Sequence, residues 1–224
     1  MTRGAGAHLV IFDCDGVLLD SELISAQVLL EELARIGFKT DLPYFFQNCL
    51  GRHFSVVAAR IERDSGLAIG PEFERHYLGR LLATFGTELK PMPGAREVLS
   101  RMESGYCVAT NSKTLRATRS FDLAGMTDLV GGRIFSGSMV ERGKPEPDLF
   151  LLAAGRQRVA PENCLVIEDS EMGIAAAHAA GMPVWRFTGG SHYRSTHGSP
   201  SRQLPVDREF DDLNDFFRLW TDLS

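Results

Sequence analysis

The chain has 224 residues, of which 44% are hydrophobic and 24% charged, with a formal net charge of −5. This balance excludes a disordered polymer, the absence of a Lys/Arg block leaves no nucleic-acid footprint, and no apolar run approaches the ~20 residues of a membrane span. Met1 to Ala7 is small and polar and lacks the apolar centre of a secretory leader, so a cytoplasmic location is expected. Cys14, Cys49, Cys107 and Cys164 form no Cys-x-x-Cys pair, which predicts buried structural thiols rather than disulfides or a zinc site.

Residues 8–12 (HLVIF) form a short continuous apolar run, the pattern of a buried parallel strand, and it ends at Asp13. Similar runs follow at residues 106–110 (YCVAT), 133–136 (RIFS), 164–167 (CLVI) and 183–187 (PVWRF). Residues 95–103, 115–123, 148–155 and 170–180 read as the intervening helices, and DDLNDFFRLW near the C-terminus predicts a closing amphipathic helix. Alternating strands and helices indicate βαβ units and a parallel sheet.

Residues 21–90 break that alternation. Leu23, Ala26, Leu30, Leu33 and Gly37 recur at threes and fours, and residues 55–64 and 72–85 also read as helix. Roughly seventy helical residues are too many for one crossover connection. The expected fold is therefore α/β: a Rossmann-like parallel-sheet core, residues 1–20 and 91–224, with an inserted α-helical cap domain, residues 21–90. Pro91-Met92-Pro93-Gly94 marks the return to the core, and residues 188–200, rich in Gly, Ser and His, read as a surface loop.

In an open α/β sheet, ligands bind outside the carboxyl ends of the strands. The first strand delivers Asp13-Cys14-Asp15-Gly16, the second Thr110-Asn111-Ser112-Lys113 and the fourth Glu168-Asp169-Ser170, while the loop after the third delivers Gly143-Lys144-Pro145. A lone strand-end Asp commonly caps a helix or makes a turn. Two acidic pairs on neighbouring strands would instead repel unless a hard divalent cation joined them, and an all-oxygen set favours magnesium. Thr110 and the backbone N–H groups of Asn111 and beyond begin a turn into a helix, which suits a phosphate oxygen, and Lys144 adds a compact cation between Gly143 and Pro145.

These segments resemble the four motifs of the haloacid dehalogenase superfamily. Phe12-Asp13-Cys14-Asp15-Gly16-Val17 is similar to its first motif and Val108-Ala109-Thr110-Asn111 to its second. Gly143-Lys144-Pro145-Glu146-Pro147 is similar to the third, and Val166-Ile167-Glu168-Asp169-Ser170, with Gly173 and Ala175, to the fourth. All four occur in order, with a helical insertion after the first, as in the helical-cap sugar-phosphate phosphatases and β-phosphoglucomutases.

The resemblance implies that Asp13 is a phosphate-accepting nucleophile and Asp15 the general acid and base. It further implies that Asp13, Asp169 and the Asp15 carbonyl hold Mg2+, with Glu168 a further ligand or a group behind the ligands. Thr110, Asn111 and Lys144 would hold phosphoryl oxygens, and the cap would act as a lid. Glu22, Arg52 and His53 are the foremost cap residues for substrate, with Arg75, His76 and Arg80 as further candidates; for each the alternative is a merely charged surface. His178, in an Ala-rich helix, reads as a packing or surface residue.

The implied partner is a small phosphorylated substrate, a sugar phosphate or a phosphorylated sugar acid such as 6-phosphogluconate, with no nucleic-acid or membrane partner. The alternatives are a β-phosphoglucomutase-like phosphomutase and a non-catalytic protein on the same fold. The mutases carry a His in the helix after the first motif, where this chain has Ser25.

Overall fold

The computed structural model of the protein describes residues 7–103, 105–195 and 200–221. The leader reading covers residues 1–7, of which 1–6 lie outside the described residues, as does the part of the loop reading at residues 196–199. The elements run β1 (Leu9–Phe12), α1 (Glu22–Arg35), α2 (Leu42–Asn48), α3 (Phe54–Ser65), α4 (Pro71–Glu88), α5 (Ala95–Arg101), β2 (Gly105–Thr110), α6 (Thr114–Leu123), α7 (Thr127–Val130) and β3 (Ile134–Ser136). They continue with α8 (Asp148–Gln157), β4 (Cys164–Glu168), α9 (Glu171–Ala179), β5 (Val184–Phe187), β6 (Arg208–Phe210) and α10 (Phe216–Thr221).

The six strands form one parallel sheet in the order β3-β2-β1-β4-β5-β6. Both faces are covered, which explains the continuous apolar strands. Side chains alternate across the sheet, so Val10 and Phe12 pack with α5, α6 and α10 through Val98, Phe121 and Phe216. Leu9 and Ile11 pack on the other face with α8 and α9 through Phe150, Ala153 and Ile174. All four cysteines are buried and free. Among the described residues, no helix is long and apolar enough to cross a membrane.

Every regular element between β1 and β2, from α1 to α5, is helical. The outgoing and returning strands of chain lie side by side: Asp20 N donates to Lys90 O at 3.1 Å, and Met92 N to Leu18 O at 2.9 Å. Such a paired crossing brings the helical segment back over the carboxyl end of β1.

Two elements differ from expectation. β6 was not anticipated, because three residues at the sheet edge are too few to show a period. The stretch after β5 is not all surface: Gly189, Gly190 and His192 are buried, since the turn Ser191–Arg194 is fastened to Asp20 through the Ser191 N–H at 2.9 Å.

Candidate active site

The sheet order reverses direction between β1 and β4, which opens a crevice at their carboxyl ends. Asp13 continues the ladder by donating its N–H to Ile167 O at 2.9 Å, which brings it beside Glu168 and Asp169. Lys144 enters from the far side. Its Nζ lies 2.5 Å from Asp13 Oδ1, 2.6 Å from Glu168 Oε1 and 2.7 Å from Ala109 O. Burial would lower the Lys144 pKa, but the two carboxylates outweigh it and hold the ammonium charged.

The other Glu168 oxygen accepts from Asp169 N, Ser170 N and Ser170 Oγ. A Cβ at Gly173 would overlap this carboxylate, which accounts for glycine in the first turn of α9. Both Glu168 oxygens are thus engaged. Asn111 takes a part the sequence did not suggest. Its side chain accepts from Lys144 N at 2.9 Å and donates to Lys144 O at 2.9 Å and to Gly51 O at 2.8 Å, so it fixes the lysine loop and reaches the helical insertion.

Asp15 is held apart from this cluster. Ser21 Oγ donates to it at 2.6 Å, Ser112 Oγ at 2.7 Å and Arg116 Nη2 at 3.0 Å, while Thr110 Oγ1 stands at 3.5 Å. Burial pushes the Asp15 pKa up, but the Arg116 charge and these hydrogen bonds outweigh it and hold the carboxyl below its ordinary range. Arg116 also donates to Ser25 Oγ at 3.1 Å, linking the acid to α1. Sequence reasoning placed Ser112 at the strand end without a partner and missed Ser21 and Arg116. Their signal was available only through geometry, since Arg116 lies one helical turn beyond Ser112, on the first turn of α6.

The donor set fits a divalent cation. Four buried carboxylates (Asp13, Asp15, Glu168 and Asp169) face two cations, Lys144 and Arg116, which leaves two negative charges unmatched. Asp13, Glu168 and Asp169 can each bring an oxygen within 4.8 Å of the others. Burial first, and the neighbouring carboxylates second, push the Asp13 and Asp169 pKa values well above the ordinary range, a strain that a hard cation relieves.

The insertion residues divide. Arg52 lines both a cavity of about 290 Å3, walled by Asp13, Asp15, Thr110 and Lys144, and an adjoining one of about 670 Å3. The larger cavity is walled by Leu29, Phe45, Phe54, Val57 and Tyr77, with Glu22 and Ser25 at its core side. His53 instead caps α3, its Nδ1 lying 3.4 Å from Ser55 N and 2.9 Å from Ser55 Oγ. His76 and Arg80 do not reach the site. They pair with Glu32 on α1, where the α1–α4 packing holds them, and Arg75 and His178 are exposed.

Glu22 is buried and makes no ion pair among the described residues, and burial, then Asp15 and Asp169, raise its pKa from 4.5 to about 8. Between those values the unfolded chain releases the proton while the folded chain keeps it, so folding loses stability as pH rises. Glu22→Gln is expected to change stability little near pH 4.5 and to raise it by on the order of a few kcal/mol at pH 8, at about 1.4 kcal/mol per pH unit. Equal urea midpoints for the two proteins at pH 8 would contradict this.

A parallel sheet with an Asp-x-Asp strand end, a buried Lys and a second acidic pair at its switch point defines a hydrolase of the haloacid dehalogenase type. The model of the haloacid dehalogenase-like hydrolase family matches residues 7–181, and the chain belongs to that family. It is 29% identical to a 6-phosphogluconate phosphatase of Escherichia coli K12, over 82% of this chain and 83% of that one. It is 34% identical to (DL)-glycerol-3-phosphatase 2 of Arabidopsis thaliana, over 81% and 79%. Among solved structures, a HAD family hydrolase from Deinococcus radiodurans with bound phosphate and sodium is 31% identical, covers 98% of this chain and 97% of its own, and superposes with a TM-score of 0.75.

Proposed function

We propose that the chain is a magnesium-dependent phosphatase of small phosphorylated metabolites, sugar phosphates or sugar-acid phosphates, acting through an aspartyl-phosphate on Asp13. The observation that carries this reading is the buried carboxylate cluster with two unmatched negative charges, set in one small cavity with Lys144, Thr110 and a separately tethered Asp15. The names of the phosphatase relatives, and the phosphate in the Deinococcus structure, support it.

Asp13, Asp169 and the Asp15 carbonyl would hold Mg2+, which when bound offsets the charge of carboxylate and phosphate as they approach. Lys144 and the N–H groups entering α6 hold the equatorial oxygens. An Asp13 oxygen attacks phosphorus, the ester P–O bond breaks, and Asp15 protonates the departing alkoxide. In the second half Asp15 takes a proton from water, the water oxygen bonds to phosphorus, and the acyl-phosphate bond breaks to return the Asp13 carboxylate. The Arg116 contact keeps Asp15 ionised, as the second half requires. The first half requires that contact to loosen, and because Arg116 also holds Ser25 on α1, movement of the helical segment is coupled to it.

The helical segment, residues 21–90, acts as a cap that closes through Asn111–Gly51 and Lys113–Glu74. Arg52, shared by both cavities and without an ion-pair partner among the described residues, meets the phosphate or a second anionic group of the substrate, and Glu22 faces the leaving group. Ser25 donates to Ser21 O and offers no base at the mutase His position, which favours hydrolysis over transfer.

The test is turnover of a panel of phosphorylated metabolites with and without Mg2+, including β-glucose 1-phosphate with a bisphosphate primer. Phosphate release from a narrow set, abolished by EDTA and restored by Mg2+, is expected. Isomerised product without phosphate release, or metal-independent release, would overturn the reading.

A further inference from the structure

His192 belongs to none of the four motifs. It sits in the turn after β5 and is fully buried at 0% exposure. Its Nε2 lies 2.9 Å from Asp169 Oδ2, yet out of line for a hydrogen bond, so both ring nitrogens and that oxygen lack hydrogen-bond partners among the described residues. Buried polar atoms are rarely left so, and two of them facing each other beside an acidic cluster call for a reason.

The ring's place is built by two glycines from separate segments. A Cβ at Gly16 would collide with Asp169 Oδ2 and come within 2.9 Å of His192 Cε1. A Cβ at Gly190 would come within 2.5 Å of His192 Nδ1. The same turn grips Asp169 a second time, because Tyr193 Oη donates to the Asp169 carbonyl. The two rings lie against each other with centroids 4.8 Å apart, and Ser191 N anchors the turn to Asp20.

We propose that His192 and Tyr193 are positioning residues for the divalent-cation site: His192, as its Nε2–H tautomer, holds Asp169 Oδ2, and Tyr193 holds the Asp169 carbonyl, which leaves Oδ1 for the cation. A modest rotation of the ring or the carboxylate brings the 2.9 Å contact into line. Groups standing behind metal ligands in this way orient them and raise their affinity. The inference rests on the reading of the acidic cluster as a magnesium site.

The experiment is isothermal titration of Mg2+ into the metal-free full chain, paired with the Mg2+ dependence of kcat. His192→Ala is expected to weaken Mg2+ binding by about 10- to 100-fold while kcat at saturating Mg2+ stays within a few-fold. His192→Gln, whose amide can donate to the same oxygen, restores most of the affinity, and Tyr193→Phe loses part of it. Should His192→Ala fail to fold, Tyr193→Phe, which removes one hydroxyl, decides the matter. Wild-type Mg2+ affinity in the folded His192→Ala variant, or in Tyr193→Phe where that variant decides, would overturn the inference. Wild-type protein that binds no Mg2+ would instead overturn the metal-site reading.

Discussion

Asp13→Asn is expected to abolish phosphate release, lowering kcat by about 10^4-fold or more, the scale on which loss of a nucleophile acts. The amide keeps the shape but cannot displace an alkoxide, and it should weaken the proposed cation site at the same position. The fold should survive. Asp13 is a buried carboxyl whose ionisation is opposed by burial and by Glu168, Asp169 and Asp15, and Lys144 keeps Glu168 as a partner. In metal-free buffer the variant should melt no lower than the wild type, and its gain in Tm on adding Mg2+ should shrink. Phosphate release at the wild-type rate would sink the nucleophile assignment.

Lys144→Met is expected to damage stability and catalysis together. Lys144 is 5% exposed and its ammonium bridges two buried carboxylates, so its removal strands the Glu168 charge. Breaking a buried pair from one side costs about 3–5 kcal/mol. At roughly 2–4 °C per kcal/mol for a chain of this size, Tm should fall by on the order of 10 °C. On the proposed mechanism, in which this charge faces the phosphoryl group, its loss should lower kcat by about 10^2- to 10^3-fold. The double variant Lys144→Met/Glu168→Gln separates the effects: it should recover much of the stability and none of the activity. A double variant as unstable as the single one would show that packing against Phe150, whose ring centre lies 4.8 Å from Nζ, and not charge, is what Lys144 supplies.

Much of this was legible in the sequence because the relevant signals are local. A strand buried on both faces has to be a short apolar run, so five of the six strands announced themselves, and the first, second and fourth runs led directly to Asp13, Thr110 and Glu168. Helical spacing likewise marked the run of helices α1 to α4 between β1 and β2. Tertiary structure alone decided the rest, because it brings together groups far apart in the chain. Arg116 meets Asp15 across 101 positions and Ser25 across 91, and no period relates them. His76 and Arg80 looked available for substrate until α1 offered them Glu32. His192 lay in a stretch whose Gly and Ser content reads as exposed loop. It is buried because Gly16 and Gly190 leave room for its ring beside Asp169, a fit that exists only once the ends of β1 and β4 and the turn after β5 meet. Residue types and their order thus determined the sheet and its strand-end acids, whereas the partners that set each acid's charge, and so its chemistry, came from packing between distant segments.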